Sequence, residues 1–270
     1  MTIFQAIILG IVQGATEFLP VSSSGHLVLV PHLFGWEIPI EQAFIFDVLV
    51  QLGTLLAVIV YFWRDLVDIA LAVLRGLWER KPFAAADARM GWYLVLATIP
   101  ASVLGLLLKD KVEAAFASPF ATAMFLLGTA VLLVVAEVVG KRSRTIAQVN
   151  WIDALWIGTF QVLALFPGVS RSGSTIAGGM TRDLERPAAA RFSFLISVPV
   201  MLGAGLIAGL DLLNVSGLGA FLPALLTGFL VSAVVGYIAI AWLLRYLAHH
   251  RLYVFAIYVV LVAILTLITL

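Results

Sequence analysis

Two short stretches of this sequence hold most of the groups able to do chemistry. The first reads Gln13-Gly14-Ala15-Thr16-Glu17-Phe18-Leu19-Pro20-Val21-Ser22-Ser23-Ser24-Gly25-His26. A carboxylate, three serine hydroxyls and an imidazole fall within ten residues of oily sequence, where an ionisable group is costly unless paired or wetted. Glu17 can hold a divalent cation or accept a proton, Ser23 offers a nucleophilic oxygen, and the imidazole of His26 suits proton transfer near neutral pH. A tight turn would bring Ser23 and His26 into contact. The second stretch reads Phe166-Pro167-Gly168-Val169-Ser170-Arg171-Ser172-Gly173-Ser174-Thr175. Gly168 and Gly173 permit positive φ and close backbone approach, and a helix starting here would aim free N–H groups at an anion. Arg171 supplies a permanently charged planar fork matched to phosphate oxygens, and Ser170, Ser172, Ser174 and Thr175 supply hydroxyl donors. The pattern outlines a phosphate cradle. Ser22, Ser24, Gly25 and Gly173 equally suit close helix packing, and that role stays open beside phosphate contact. Pro20 and Pro167 read as helix terminators.

The elements that position these motifs are membrane helices. Hydrophobic residues make up 63% of the 270 residues and charged ones 11%, against roughly 45–50% and 25% in soluble domains. No water-soluble core can hide that excess. Spanning helices are predicted at Ala43–Trp63, Met90–Leu108, Pro119–Val139, Pro187–Leu212, Gly217–Leu244 and Tyr253–Leu270, each near the roughly 20 residues a crossing needs. Asp65–Glu79 carries Asp68 and Arg75 and reads as an interfacial amphipathic helix. Ile3–Leu19 and Trp151–Phe166 are too short to span comfortably and run into Pro20 and Pro167. Net charge is +1 with no basic tail, which sets nucleic acid aside. Cysteine is absent, so disulfides, thiolate metal sites and a cysteine nucleophile are excluded. The N-terminus lacks a basic leader segment and is expected to be mature sequence. Asp47 and Gln51, one turn apart, either line a cavity or bond a neighbouring helix. His249 and His250 sit beside Arg245 and Arg251 as an interfacial cap.

The two motif regions resemble each other. At a fixed offset of 148 residues, Ala6, Gly10, Gln13, Phe18, Val21, Ser22, Ser24 and Gly25 match Ala154, Gly158, Gln161, Phe166, Val169, Ser170, Ser172 and Gly173. Ser23 falls opposite Arg171, so a two-fold assembly brings nucleophile and cation to one phosphorus. Thirteen Lys/Arg lie in the connections from Arg64 to Arg89, Lys141 to Arg144, Arg182 to Arg191 and Arg245 to Arg251, against Lys109 and Lys111 on the other side. The positive-inside rule places the thirteen in the cytoplasm. Both ends of the first broken hairpin then lie outside and both ends of the second inside, an inverted pair whose broken helices meet at mid-membrane. The expected fold is an all-α polytopic membrane protein with six or more transmembrane helices. It comprises two inverted-topology repeats, each with a re-entrant broken helical hairpin. The chain forms a single integral membrane domain, 1–270, with repeat halves at about 1–140 and 149–270.

The residues Gln13xxxGlu17 with Pro20-Val21-Ser22-Ser23-Ser24-Gly25-His26, and Pro167-Gly168-Val169-Ser170-Arg171-Ser172-Gly173, resemble the two motifs of the undecaprenyl-diphosphatase family. These bacterial enzymes are also associated with bacitracin resistance. The similarity covers essentially the whole chain. It implies hydrolysis of undecaprenyl diphosphate to undecaprenyl phosphate, with a divalent cation such as Mg²⁺ or Ca²⁺, returning the carrier to cell-wall synthesis from the bacterial cytoplasmic (inner) membrane. It implies catalytic roles for Glu17, Ser23, His26 and Arg171, with Glu17 the metal ligand and Gln13 and Thr175 near the diphosphate. Other members can carry Glu where Gln13 stands, so a two-carboxylate metal clamp is in doubt. The expected partners are the lipid substrate, membrane lipid and a second copy in a homodimer. A transporter or lipid flippase is the rival, because inverted repeats with broken helices are also a transporter design.

Overall fold

The structure is a computed structural model and describes residues 1–116, 118–212 and 218–269. Helices α1 (Ile3–Phe18), α2 (Ser23–Leu33), α3 (Ile40–Tyr61), α4 (Trp63–Trp78), α5 (Ala86–Leu107) and α6 (Lys109–Phe116) are followed by α7 (Pro119–Val139), α8 (Trp151–Leu163), α9 (Arg171–Thr181), α10 (Arg186–Leu212), α11 (Leu218–His249) and α12 (Tyr253–Thr269). Among the described residues the extended backbone pairs only as one isolated bridge, between Arg144 and Leu184.

Five helical stretches are long and apolar enough to cross a membrane: Gln42–Tyr61, Ala86–Leu107, Pro119–Val139, Arg186–Leu206 and Phe221–His249. Of the six expected spans, the last is the 17-residue α12, at the lower limit of roughly 17 residues for a crossing. Gly217 and Leu270, at the ends of two expected spans, lie outside the described residues. Large apolar side chains face outward along these helices, Leu106 at 78% exposure and Val138 at 70% among them, as lipid contact requires and water would penalise. The chain is an integral membrane protein.

The amphipathic stretch is α4, 16 residues, which is not among the spans. Helices α1 and α8 have 16 and 13 residues, about 24 and 20 Å at 1.5 Å per residue, short of a hydrocarbon core of about 30 Å. Helix α8 ends at Leu163, earlier than the sequence suggested, in turns through Ala164, Leu165 and Phe166 that lead into Pro167.

Small residues set the close contacts. On α1, a Cβ added at Gly10 would come within 2.9 Å of the Gly228 carbonyl, and one at Gly14 within 2.7 Å of Val235 Cβ, both on α11. On α8, a Cβ at Gly158 would collide with the Ala97 carbonyl of α5. Helix α1 therefore lies along α11, and α8 along α5. Glycine allows such approach where lipid offers no hydrophobic drive to hold helices together.

The outer ends of the helix pairs α1–α2 and α8–α9 are tied together. Asp153, fully buried at the start of α8, accepts from Arg144 Nη1 at 3.0 Å and from Arg182 Nε, just past α9, at 2.8 Å. The Ser143 and Arg144 amides donate to the Asp183 carbonyl at 2.9 and 3.0 Å. At the first hairpin, Phe4 of α1 meets Trp36, just beyond α2, edge to face at 6.4 Å, and the N-terminal amine donates to Gln42 Oε1 at 2.8 Å. Glu137 closes the end of α7, accepting from Arg186 Nε at 2.7 Å, Arg142 Nη1 at 3.0 Å and the Leu252 amide at 2.8 Å.

Candidate active site

Two hairpin tips meet inside the bundle. In the first, α1 ends at Phe18, Pro20 cannot continue it, and α2 begins at Ser23 with Ser22 as its cap. In the second, Pro167 and Gly168 form the turn and Ser170 caps α9. Gly168 has φ +94°, and a Cβ there would collide with the Thr122 carbonyl of α7, so glycine is required. Each cap serine accepts from an amide three residues on, Gly25 at 3.4 Å and Gly173 at 3.0 Å. Each also shares a hydrogen bond with the serine two residues on, Ser22 with Ser24 at 3.3 Å and Ser170 with Ser172 at 3.1 Å. The tips are joined directly, because Ser172 Oγ donates to the Leu19 carbonyl at 2.9 Å.

Ser23 and Arg171 occupy the first positions of α2 and α9, and both reach the same carboxylate. Ser23 Oγ donates to Glu17 Oε2 at 2.6 Å, and Arg171 Nη2 donates to Glu17 Oε1 at 2.8 Å. Gln13 Nε2, one turn back on α1, donates to Glu17 Oε2 at 2.9 Å. Arg171 is further held through Nη1 by the Ser193 carbonyl of α10, at 3.4 Å. Two helix N-termini thus converge on one anionic group, where their partial positive charge favours an anion. Among the described residues, the Ser23, Ser24, Arg171 and Ser172 amides have no hydrogen-bond partner, as first-turn amides do unless a ligand supplies one.

A polar pocket of about 180 Å³ opens here, lined by Glu17, Ser22, Ser23, Ser24, Ser170 and Arg171, with Gln51, Phe116 and Met201 among its other walls. It adjoins an apolar chamber of about 630 Å³ between α2, α3, α6 and α10. The two share Ser24, Gln51, Phe116, Met201 and Ala204. Asp47 and Gln51 both line this chamber, the cavity-facing of the two placements open from sequence.

Other motif residues lie elsewhere. His26 shows no hydrogen bond to Ser23 or Glu17. Its Nδ1 is 2.7 Å from the Ser22 carbonyl and its Nε2 is 2.8 Å from the Tyr258 hydroxyl of α12. Ser172, Ser174 and Thr175 are fully buried. Ser174 Oγ donates to the Ser170 carbonyl, and Thr175 Oγ1 meets Ser193 Oγ at 2.6 Å. Gly173, also buried, lies where an added Cβ would press on its own cap serine.

Several partners were not foreseen from sequence. Thr129 of α7 donates to the Gly168 carbonyl at 2.9 Å and accepts from the Ser170 amide at 3.0 Å, bridging the second turn. Thr54 of α3 accepts from Gln13 at 3.4 Å. Thr54 stands alone as a Ser/Thr hydroxyl in its span, the one available signal; Thr129 shares its span with Thr122 and offered none. Ser193 and Tyr258 carried none.

A resident divalent cation needs several free oxygen donors, carboxylates above all, at one point. Glu17 is the carboxylate at the polar pocket, and both its oxygens already accept, one of them from a guanidinium. Gln13 supplies an amide where a second carboxylate would stand. Among the described residues no three His, Cys, Asp or Glu side chains group as a metal site. This donor set does not fit a resident cation.

A sequence profile described as bacitracin resistance protein BacA matches residues 6–265. The chain belongs to the BacA family. Relatives named undecaprenyl-diphosphatase align with nearly the whole of this chain. One from Chlorobium phaeovibrioides (strain DSM 265 / 1930) is 45% identical over 280 residues, covering 100% of this chain and 98% of the relative. One from Myxococcus xanthus (strain DK1622) is 42% identical over 270 residues, covering 100% and 90%. One from Desulforudis audaxviator (strain MP104C) is 45% identical over 265 residues, covering 97% and 95%.

Proposed function

We propose that this chain hydrolyses undecaprenyl diphosphate to undecaprenyl phosphate and inorganic phosphate. The observation that carries the reading is the single carboxylate, Glu17, accepting from both the Ser23 hydroxyl and the Arg171 guanidinium at the facing ends of two helices. Such a site holds a base against a nucleophile and a cation where a phosphoryl group would sit. The polar pocket suits the diphosphate and the adjoining apolar chamber the first units of a prenyl chain. A transporter site needs affinity alone and leaves the Ser23–Glu17 bond without purpose.

The terminal phosphate displaces Glu17 from Arg171, whose fork matches phosphate as well as carboxylate. Released from Arg171, Glu17 keeps the Ser23 hydroxyl at hydrogen-bond distance. Ser23 Oγ passes its proton to Glu17 Oε2 and bonds to the terminal phosphorus. The bond from that phosphorus to the bridging oxygen breaks, and its electron pair leaves with undecaprenyl phosphate, which takes up the proton from Glu17. Water, deprotonated in turn by Glu17, attacks the phosphoserine, and the Ser23 oxygen leaves and regains that proton. Arg171 and the free amides of α2 and α9 stabilise the equatorial oxygens throughout. Ser170, Ser172, Ser174 and Thr175 shape the turn, and Gly168 lets it close. A divalent cation, Mg²⁺ or Ca²⁺, would reach this site bound to the substrate's phosphates.

We also infer the arrangement in the membrane. The tied ends of each hairpin and their meeting tips support two re-entrant hairpins entering from opposite faces of the bacterial cytoplasmic membrane. The α1–α11 and α8–α5 pairings support two inverted repeats that exchange partners.

Phosphate release from a prenyl diphosphate by purified protein in detergent, with Mg²⁺ and with chelator, tests the activity. Wild type is expected to turn over and Ser23→Ala to lose at least about 10³-fold in kcat, as enzymes do without their nucleophile. Acid quenching of wild type should trap a phosphoserine at position 23. Near-native turnover by Ser23→Ala would remove the covalent step, and no phosphate release by wild type would remove the activity.

A further inference from the structure

We infer that Tyr258, on the last helix, is a positioning residue for the proposed phosphatase reaction. It acts through His26 to hold the strained backbone that aims Ser23 at Glu17. The inference rests on the activity proposed above and adds to it the role of the histidine.

Ser22 has φ +71° and ψ 96°, the left-handed side of the map that side chains other than glycine rarely occupy. The structure must hold it there. Its carbonyl accepts twice from His26, from the backbone amide at 3.3 Å and from ring Nδ1 at 2.7 Å. A carbonyl can only accept, so Nδ1 carries the proton, and in the neutral ring the Nε2 lone pair faces outward. Tyr258 fills that position with its hydroxyl at 2.8 Å, its ring parallel to the imidazole within 5°. The Ser22 carbonyl sets this tautomer, and the tyrosine hydroxyl, donating to Nε2, holds the ring in place on it. With Nδ1 protonated and Nε2 accepting from Tyr258, the imidazole has no lone pair free for the Ser23 hydroxyl. That hydroxyl is donated to Glu17 at 2.6 Å.

The second hairpin supports a holding role at this position. The residue 148 places after His26 is Ser174, whose hydroxyl donates to the carbonyl of Ser170, the partner of Ser22. There the cap has φ −67°, an ordinary value that a hydroxyl suffices to hold. At the first tip the same bond restrains a strained cap, and the ring brings a second anchor on α12, 232 residues away.

The experiment uses full-length protein in detergent, with wild-type phosphate release established first, so that failure of the activity is seen separately. Tyr258→Phe should lower kcat about fivefold, the weight of one ordinary hydrogen bond, with KM unchanged. His26→Ser, which restores at position 26 the bond Ser174 makes, should keep about tenfold more turnover than His26→Ala. In the His26→Ser background, Tyr258→Phe should have no further effect. ¹⁵N NMR of the ring, assigned by its loss in His26→Ser, should show a protonated Nδ1 and bare Nε2, and this readout needs no turnover. A bare Nδ1, full kcat in Tyr258→Phe, equal loss in His26→Ser and His26→Ala, or an undiminished Tyr258→Phe effect in the His26→Ser background would each overturn the inference.

Discussion

Arg171 faces two acceptors in turn, the Glu17 carboxylate at 2.8 Å in the free protein and, in the proposed complex, the phosphate. A lysine would keep the charge and lose the planar fork that also bonds the Ser193 carbonyl. Arg171→Lys should therefore raise KM and lower kcat, together costing about 10- to 100-fold in kcat/KM, or about 1.4–2.7 kcal/mol. Unchanged steady-state kinetics would argue against bidentate recognition. Glu17, Ser23 and Arg171 were legible in the sequence because charge and hydroxyls inside apolar runs are costly unless used. The direction of the His26 ring was not. Spacing places it one turn from Ser22, but whether the ring faces Ser23 or Tyr258 depends on a φ of +71° and on a helix at the far end of the chain. Ser174 and Thr175 read equally well as phosphate donors. They turn inward because hydroxyls four residues along a helix bond back to the preceding turn, as Ser174 does to Ser170 and Thr175 to Arg171.

Helix α8 carries the second tip, and its seat on α5 fixes where Arg171 points. Gly158→Ala would drive a methyl into the Ala97 carbonyl, and overpacking of this kind costs about 1–3 kcal/mol. Gly128→Ala, on α7 with nothing within 4 Å of the added carbon, should be neutral or stabilising by up to about 1 kcal/mol, the helix-propensity gain over glycine. Thermal unfolding in detergent should rank Gly128→Ala at or above wild type and Gly158→Ala clearly below it, with kcat reduced in the latter. Equal melting of the two variants would contradict the packing described. The long apolar helices were legible to within a few residues, since a run of that length has few alternatives. Helix α6 was missed because Lys109-Asp110-Lys111 opens an eight-residue helix, too short and polar to stand out from a connection. The closure of the second hairpin by Asp153, Arg144 and Arg182 was also not visible. Arg144 and Arg182 read only as cytoplasmic markers, and Asp153 did not stand out, until folding brought them to one point.

At the scale of the whole molecule, the proposed inversion depends on which face each hairpin opens to. Asp153 holds both ends of the second hairpin together, and Phe4 with Trp36 does the same at the first. The tips touch through Ser172 and Leu19, so the closed ends point away from each other. The Lys/Arg distribution assigns the second hairpin's ends to the cytoplasm, which leaves the first hairpin's ends outside. The chain has no cysteine, so single cysteines report without background. Thr2→Cys and Glu37→Cys, flanking α1 and α2, should react with a membrane-impermeant maleimide on intact cells. Ala147→Cys and Glu185→Cys, flanking α8 and α9, should react only after permeabilisation. All four positions are exposed, so a failure to react reports on membrane side and not on burial. Opposite behaviour within either pair would mean that hairpin crosses the membrane. The same face for both pairs would mean the repeats are parallel, and two helix N-termini could then not approach one phosphate from opposite leaflets.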